Sequence, residues 1–233
     1  MQAIIIAGDP EDRDILSFVL RHSGLAVAKT AEAQHAKSAL LDHPVDLILM
    51  VLDPRAASVT FVEEIRAITQ APLILLGERL TEQQHCALLD SGADIILERP
   101  FSPRVLSRYV RMLLRRAGTV PVSLLPILEA KNLSLNPSSR KATRPDGQTC
   151  QLTPLEFRLF YLLMTNRDQV IPIEIIIERV WGYSGTGSSD LVRGLVRRLR
   201  RKIELDPANP QYIENIPGVG YRFVAEEPIN SRV

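Results

Sequence analysis

Apolar residues along the first half of the chain follow two alternating rhythms. Short, mostly apolar runs with the look of strands lie at 3–7, 25–29, 46–52, 72–76 and 94–97. Between them, segments 12–21, 31–41, 59–68, 81–91 and 103–116 place apolar residues every three or four positions. Buried runs separated by amphipathic, helix-length stretches predict a parallel sheet with a helix crossing between successive strands. Chemistry in such a sheet gathers beyond the carboxyl ends of the strands. Those ends are Gly8-Asp9, 51–53, Gly77 and Glu98-Arg99.

The rhythm changes after residue 117. The stretch GTVPV at 118–122 breaks the last amphipathic segment and reads as a linker. Strand candidates follow at 127–129, 133–135 and 141–143, with turns at Asn136-Pro137 and Pro145-Asp146-Gly147. Thr153-Pro154-Leu155-Glu156 has the form of a helix start: Thr as N-cap, Pro in the first turn, Glu at the third position. Leu155, Leu159, Leu162 and Leu163 give that helix one apolar face. Ile171-Pro172 is expected to open a second helix running to Trp181. The Gly/Ser-rich stretch 182–188 forms a loop, and Ser189 or Asp190 caps a third helix. Residues 212–216 and 221–224 read as a hairpin around Pro217-Gly218-Val219-Gly220. The predicted organisation is a domain at 1–118, a linker at 119–124 and a second domain at 125–228.

Composition narrows the class. Hydrophobic residues make up 45% and charged residues 24% of 233 positions, enough apolar mass for two cores. No apolar run approaches the roughly 20 residues of a membrane span, and MQAIIIAGDPED lacks a basic stretch and a cleavage site. A cytoplasmic chain with no membrane partner is expected. Cys86 and Cys150 stand apart, without metal or disulfide spacing. His22, His35, His43 and His85 are dispersed, and the sequence offers no nucleophile–base pair, metal cluster or phosphate loop. Neither enzymatic activity nor a cofactor or metal is expected.

Charge changes the picture further. Residues 1–124 hold 13 Lys/Arg against 15 Asp/Glu, and residues 125–233 hold 15 against 12. Six of the latter cations fall between Arg193 and Lys202. On a helical wheel, Val192, Leu195, Val196, Leu199 and Ile203 share one narrow sector that must face a core. Gly194, Arg197, Arg198 and Arg201 fall opposite, with Arg193 and Arg200 on a flank. Following a Gly/Ser loop and preceding a hairpin that carries Arg222, this helix suits a major groove better than plain solvent.

The stretches IIIAGDPED, DLILM, APLILL and GADIILERPF, in that order, resemble a response-regulator receiver domain. LTPLEFRLFYLL, RVWG, LVRRLRRKIE and ENIPGVGYRF resemble the winged-helix effector domain of the OmpR/PhoB type. The resemblance implies a doubly wound, flavodoxin-like five-stranded parallel sheet followed by an α+β winged-helix domain. It also implies a two-component transcription regulator that binds double-stranded DNA. Arg193, Arg197, Arg198, Arg200 and Arg201 would contact the major groove and Arg222 the adjacent minor groove, with Gly194 allowing close backbone approach. Trp181 and 182–188 match the segment that in this family contacts RNA polymerase or a neighbouring protomer, although Trp181 also suits a core anchor.

The receiver resemblance departs from its family where the chemistry lies. Receivers pass a phosphoryl group to an aspartate closing the third strand, with acids holding Mg²⁺ and a hydroxyl and a lysine attending the phosphate. At the matching positions stand Gly8-Asp9 for the acid pair, Val51 for the acceptor, Gly77 for the hydroxyl, Ile96 for the aromatic switch and Arg99 for the lysine. Asp53 lies two residues late, before Pro54, and reads as an Asp-Pro turn residue. The expectation is a pseudo-receiver that is not phosphorylated, with an Asp9–Arg99 pair replacing the metal. On the face through which relatives dimerise, His85, Ile95, Val105 and Tyr109 replace charged partners, and Asp94 and Arg116 remain as a pair. An apolar centre of that kind predicts a permanent homodimer. Two alternatives stay open: gating by a small ligand or partner protein at the vacated site, and a scaffold that binds protein.

Overall fold

The computed structural model describes residues 1–53, 58–114, 125–182 and 189–225, and the chain divides into two compact units, Met1–Arg116 and Ala117–Val233. In the first unit, strands β1 (Gln2–Ile6), β2 (Ala26–Thr30), β3 (Leu47–Val51), β4 (Leu73–Gly77) and β5 (Ile95–Glu98) form one parallel sheet in the order β2-β1-β3-β4-β5. Helices α1 (Pro10–His22), α2 (Ala33–Asp42), α3 (Ser58–Ile68), α4 (Glu82–Ser91) and α5 (Pro103–Leu114) follow the strands in turn. Because α1 packs with α5 while α3 packs with both α2 and α4, the sheet is covered by two helical layers. The runs expected from the sequence match the strands to within one residue at each end. Leu47, Ile48, Leu49, Leu73, Ile74, Leu75 and Leu76 are fully buried, as covering on both faces demands.

The second unit opens with an antiparallel sheet of β6 (Leu128–Ala130), β7 (Leu133–Asn136), β8 (Lys141–Thr143) and β9 (Thr149–Gln151). Three helices follow: α6 (Pro154–Thr165), α7 (Ile173–Trp181) and α8 (Ser189–Ile203). A second sheet, ordered β10-β12-β11, joins β10 (Val170–Pro172) to the terminal hairpin of β11 (Ile213–Ile216) and β12 (Gly220–Phe223). The expectation that Ile171-Pro172 opens a helix is corrected. Ile171 pairs with Tyr221 and Pro172 with Gly220, so both belong to β10, and α7 begins one residue later. This pairing brings the strands unusually close. A Cβ at Gly220 would lie 2.0 Å from the Ile171 carbonyl oxygen, so only glycine fits there.

Helix α6 starts on the capping box read from the sequence. Thr153 Oγ1 accepts from the Glu156 N–H at 3.2 Å, and Glu156 Oε2 accepts from the Thr153 N–H at 2.9 Å. Phe160, Trp181, Leu199 and Phe223 bring α6, α7, α8 and β12 into one core. Among the described residues, no helix is long and apolar enough to cross a membrane.

Candidate functional sites

The carboxyl edge of the first sheet carries the altered receiver positions. Gly8 and Asp9 are exposed, and Asp9 caps α1, its Oδ1 accepting from the Glu11 N–H at 2.9 Å. Arg13 Nη1 donates to the carbonyls of Ala7 at 2.6 Å and Gly8 at 2.9 Å, drawing a guanidinium onto the end of β1. Val51 closes β3 with a hydrocarbon side chain, and exposed Asp53 lies beyond the strand. Pro54 falls outside the described residues.

At the end of β4, a Cβ on Gly77 would meet Leu80 Cδ1 at 2.9 Å and Leu52 Cδ1 at 3.2 Å. Two leucines therefore fill the place where a hydroxyl-bearing side chain would begin. Ile96 is half-buried in β5.

Arg99 corrects one expectation. Its Nη2 donates to Asp12 Oδ1 at 2.7 Å and its Nη1 lies 3.8 Å from Glu78 Oε1, so the acid it takes is Asp12 and not Asp9. The physical reason is the cap: Asp9 already serves the first turn of α1, whereas Asp12, one turn along, projects toward β5.

The expected dimer face is also corrected. Asp94 and Ile95 are each 2% exposed within their own unit and offer no surface. Asp94 Oδ2 accepts from Arg66 Nη2 at 2.7 Å and from the Leu73 N–H at 2.9 Å, so its partner is Arg66. Arg66 also donates to the Gly92 and Ala71 carbonyls, clamping the turn into β5. Arg116 lies outside the described residues. Val105 is 41% exposed, Tyr109 and His85 are half-buried, and His85 Nδ1 stands 4.0 Å from Glu98 Oε1. Besides Val105, the exposed positions of α5 are Pro103, Arg104, Arg108 and Arg111.

In the second unit, α8 sorts its cations into two groups. Arg193, Arg197 and Arg201 are exposed and recur every fourth residue, which sets them in one stripe. Arg193 Nη1 also donates to Asp190 Oδ1 at 3.1 Å. Arg198 is 7% exposed, with Nε 3.7 Å from Glu156 Oε1, and Lys202 Nζ donates to Glu156 Oε2 at 2.8 Å. Arg200 is half-buried and donates from Nε and Nη2 to the Ile213 carbonyl at 3.2 and 2.6 Å. Arg198 and Arg200, expected at the DNA face, are thus held inside the unit. Gly194, expected on the outer face, is buried as well.

The wheel assumed one buried side, but α8 packs against both α6 and α7. Burial alone would raise the Glu156 carboxyl. The Lys202 and Arg198 charges, with hydrogen bonds from Lys202 and the Thr153 N–H, instead hold it below the ordinary carboxylate range. Past the helix, buried Glu204 accepts the backbone N–H groups of Gln211, Tyr212 and Ile213, which fixes the start of β11. Neither buried acid has a signal in the sequence beyond the capping box at Glu156.

Arg222 lies on β12 directly opposite Glu214 and is hydrogen-bonded to it. Tyr221 and Phe223 pack inward on either side of it. Trp181 is a fully buried core residue, while 183–188 fall outside the described residues. Cys86 and Cys150 are half-buried thiols, and Cys150 Sγ donates to the Lys202 carbonyl at 3.3 Å.

A helix with an outward arginine stripe, set beside a hairpin wing and preceded by a doubly wound parallel sheet, defines a winged-helix protein with a receiver-like first unit. Residues 147–223 match the family described as "Transcriptional regulatory protein, C terminal". The DNA-binding response regulator MtrA of Mycolicibacterium smegmatis is 32% identical over 220 residues, covering 94% of this chain and 95% of that one. The KDP operon transcriptional regulatory protein KdpE of Escherichia coli is 30% identical over 224 residues, covering 95% and 98%. A solved structure described as a RitR mutant shares the fold with a TM-score of 0.76 at 21% identity, over 97% of this chain and 99% of that one. The chain belongs to the OmpR/PhoB-type response regulators, which are DNA-binding transcription regulators.

Proposed function

We propose that this regulator binds DNA sequence-specifically without phosphorylation of its receiver-like unit. The observation that carries this reading is the carboxyl edge of the first sheet. Val51 has no nucleophilic oxygen, Leu80 and Leu52 fill the space beside Gly77, and Arg99 is engaged by Asp12. Phosphoryl transfer relies on positioned charge and metal, and these residues supply neither an acceptor on the strand nor a paired acid beside Asp9. Incubation with acetyl phosphate and Mg²⁺, read by intact mass, should leave the chain unmodified. A stoichiometric acyl phosphate on Asp53 would sink the reading.

Arg193, Arg197 and Arg201 are the major-groove contacts and Arg222 the minor-groove contact. Arg198 and Arg200 act by holding the helix in place. With Asp94 and Ile95 withdrawn into the core, Val105, Tyr109 and His85 remain as the apolar surface of the expected dimer face. Pairing of two copies is accordingly assigned to the DNA-bound state, on half-sites roughly 10–10.5 bp apart. Sedimentation should show a monomeric full chain at micromolar concentration and two copies on a duplex carrying both half-sites. A dimer in the absence of DNA would restore the permanent interface.

A further inference from the structure

Helix α8 shows the solvent little besides guanidinium. Arg193, Arg197 and Arg201 are its only fully exposed positions. Of its half-buried cations, Arg200 donates to the Ile213 carbonyl and Lys202 to Glu156. The helix carries no Asn or Gln, the side chains that pair bidentately with adenine. At 1.5 Å per residue the arginine stripe spans about 12 Å, the width of a major groove, so one end of it meets the phosphate backbone.

The end at Arg193 is braced by an acid. Arg193 Nη1 donates to Asp190 Oδ1 at 3.1 Å, one turn back, and the two side chains are 67% and 30% exposed. A carboxylate in that place repels a wall of phosphates. Over base edges it meets no like charge, and it steadies the guanidinium through one N–H while the others stay available. Arg193 also stands in the N-terminal half of α8, the half that reaches base edges when such a helix enters the groove.

On the reading that α8 occupies the major groove, we propose that Arg193 reads a guanine and that Asp190 is its positioning residue. Two N–H groups of the braced fork match guanine O6 and N7, which are both acceptors, whereas adenine sets its N6 donor against one of them. Each half-site therefore carries a guanine that the protein fixes through N7.

The test uses the full chain and a duplex that it selects from a randomised pool. Each guanine of a half-site is replaced in turn by 7-deazaguanine, which pairs normally and lacks the N7 acceptor. One replacement should weaken binding roughly ten-fold, the loss of a hydrogen bond from a charged donor. Changing that pair to A·T should cost roughly 5- to 150-fold. In Arg193→Ala both penalties should vanish at that position and persist at other guanines. The log–log salt slope should stay as in wild type, whereas a lost phosphate contact would lower it by about 0.9. Arg193→Lys should lose most of the discrimination as well, because an ammonium is not a fork. Asp190→Asn should shrink the 7-deazaguanine penalty by roughly three-fold.

A guanine penalty that survives Arg193→Ala overturns the proposal, as does a selected half-site without guanine or a lowered salt slope in that variant. An Asp190→Asn chain that weakens alike on the selected and the 7-deazaguanine duplexes marks the acid as structural and overturns its assignment. Wild type binding random and selected duplexes equally would instead sink the DNA reading on which the proposal rests.

Discussion

At the edge of the first sheet, Val51 and Gly77 present no polar side-chain atom, and Arg99 is turned onto Asp12. In the second unit, α8 keeps Arg193, Arg197 and Arg201 facing outward while burying Arg198 against Glu156. One unit thus keeps a fully buried sheet core beneath strand ends that carry Val51 and Gly77. The other devotes part of its charge to holding the rest in position. The difference shows that a sheet's apolar runs and its edge chemistry are separable, because the former fill the core and the latter stand outside it. A recognition helix lacks that freedom, since its inner charges and outer charges share one rod.

The sharpest way to break the comparison is to remove the inner charge. Glu156→Ala leaves Arg198 and Lys202 without their carboxylate and should destabilise the second unit by about 3–5 kcal/mol, measured by denaturant unfolding. The same group predicts a pH dependence. Its carboxyl is held below the ordinary range in the folded state, so its contribution is complete above the unfolded-state value and disappears as pH falls through the folded one. Acid titration should therefore unfold the second unit of the wild type with a steeper pH dependence than that of Glu156→Gln. Equal slopes would contradict this.

Gly220→Ala comes next. With the added methyl driven onto the Ile171 carbonyl, the second unit should lose about 3 kcal/mol while the first melts as before. For the outer charge, Arg201→Ala should weaken binding to a selected duplex by about 1–3 kcal/mol if it reads a base, with a smaller change in melting midpoint than Arg198→Ala produces. Arg198→Ala should instead lower the midpoint.

The smallest effects belong to the dismantled edge. Asp9→Ala should cost about 1 kcal/mol through the lost α1 cap. Asp12→Ala should cost about 1 kcal/mol or less, because its pair with Arg99 is partly solvated. An Asp12 variant much less stable than the Asp9 variant would mean that the Arg99 tie has replaced a metal's structural role after all.

The parts legible in the sequence were those set by local periodicity. The five parallel strands follow from short, mostly apolar runs, and the start of α6 follows from Thr153 and Glu156. Strands β9 and β10 were missed because three residues of mixed character, Thr149–Gln151 and Val170–Pro172, extend only where a partner strand meets them. The inward turn of Arg198 was hidden because its acid sits on another helix, and a wheel sees one helix at a time. Asp94 and Ile95 were misplaced for a related reason. A motif match aligns positions, but burial depends on Arg66 and on the helices packed around β5. The role of Asp9 is not legible in strand spacing, which says nothing of a cap one residue before a helix.

The most direct test is a titration of a selected two-half-site duplex with the full chain, before and after treatment with acetyl phosphate and Mg²⁺. A regulator whose receiver edge cannot be phosphorylated should give superimposable curves, with the same affinity and the same salt dependence. Tighter binding after treatment, accompanied by a phosphate's added mass on the protein, would contradict the account.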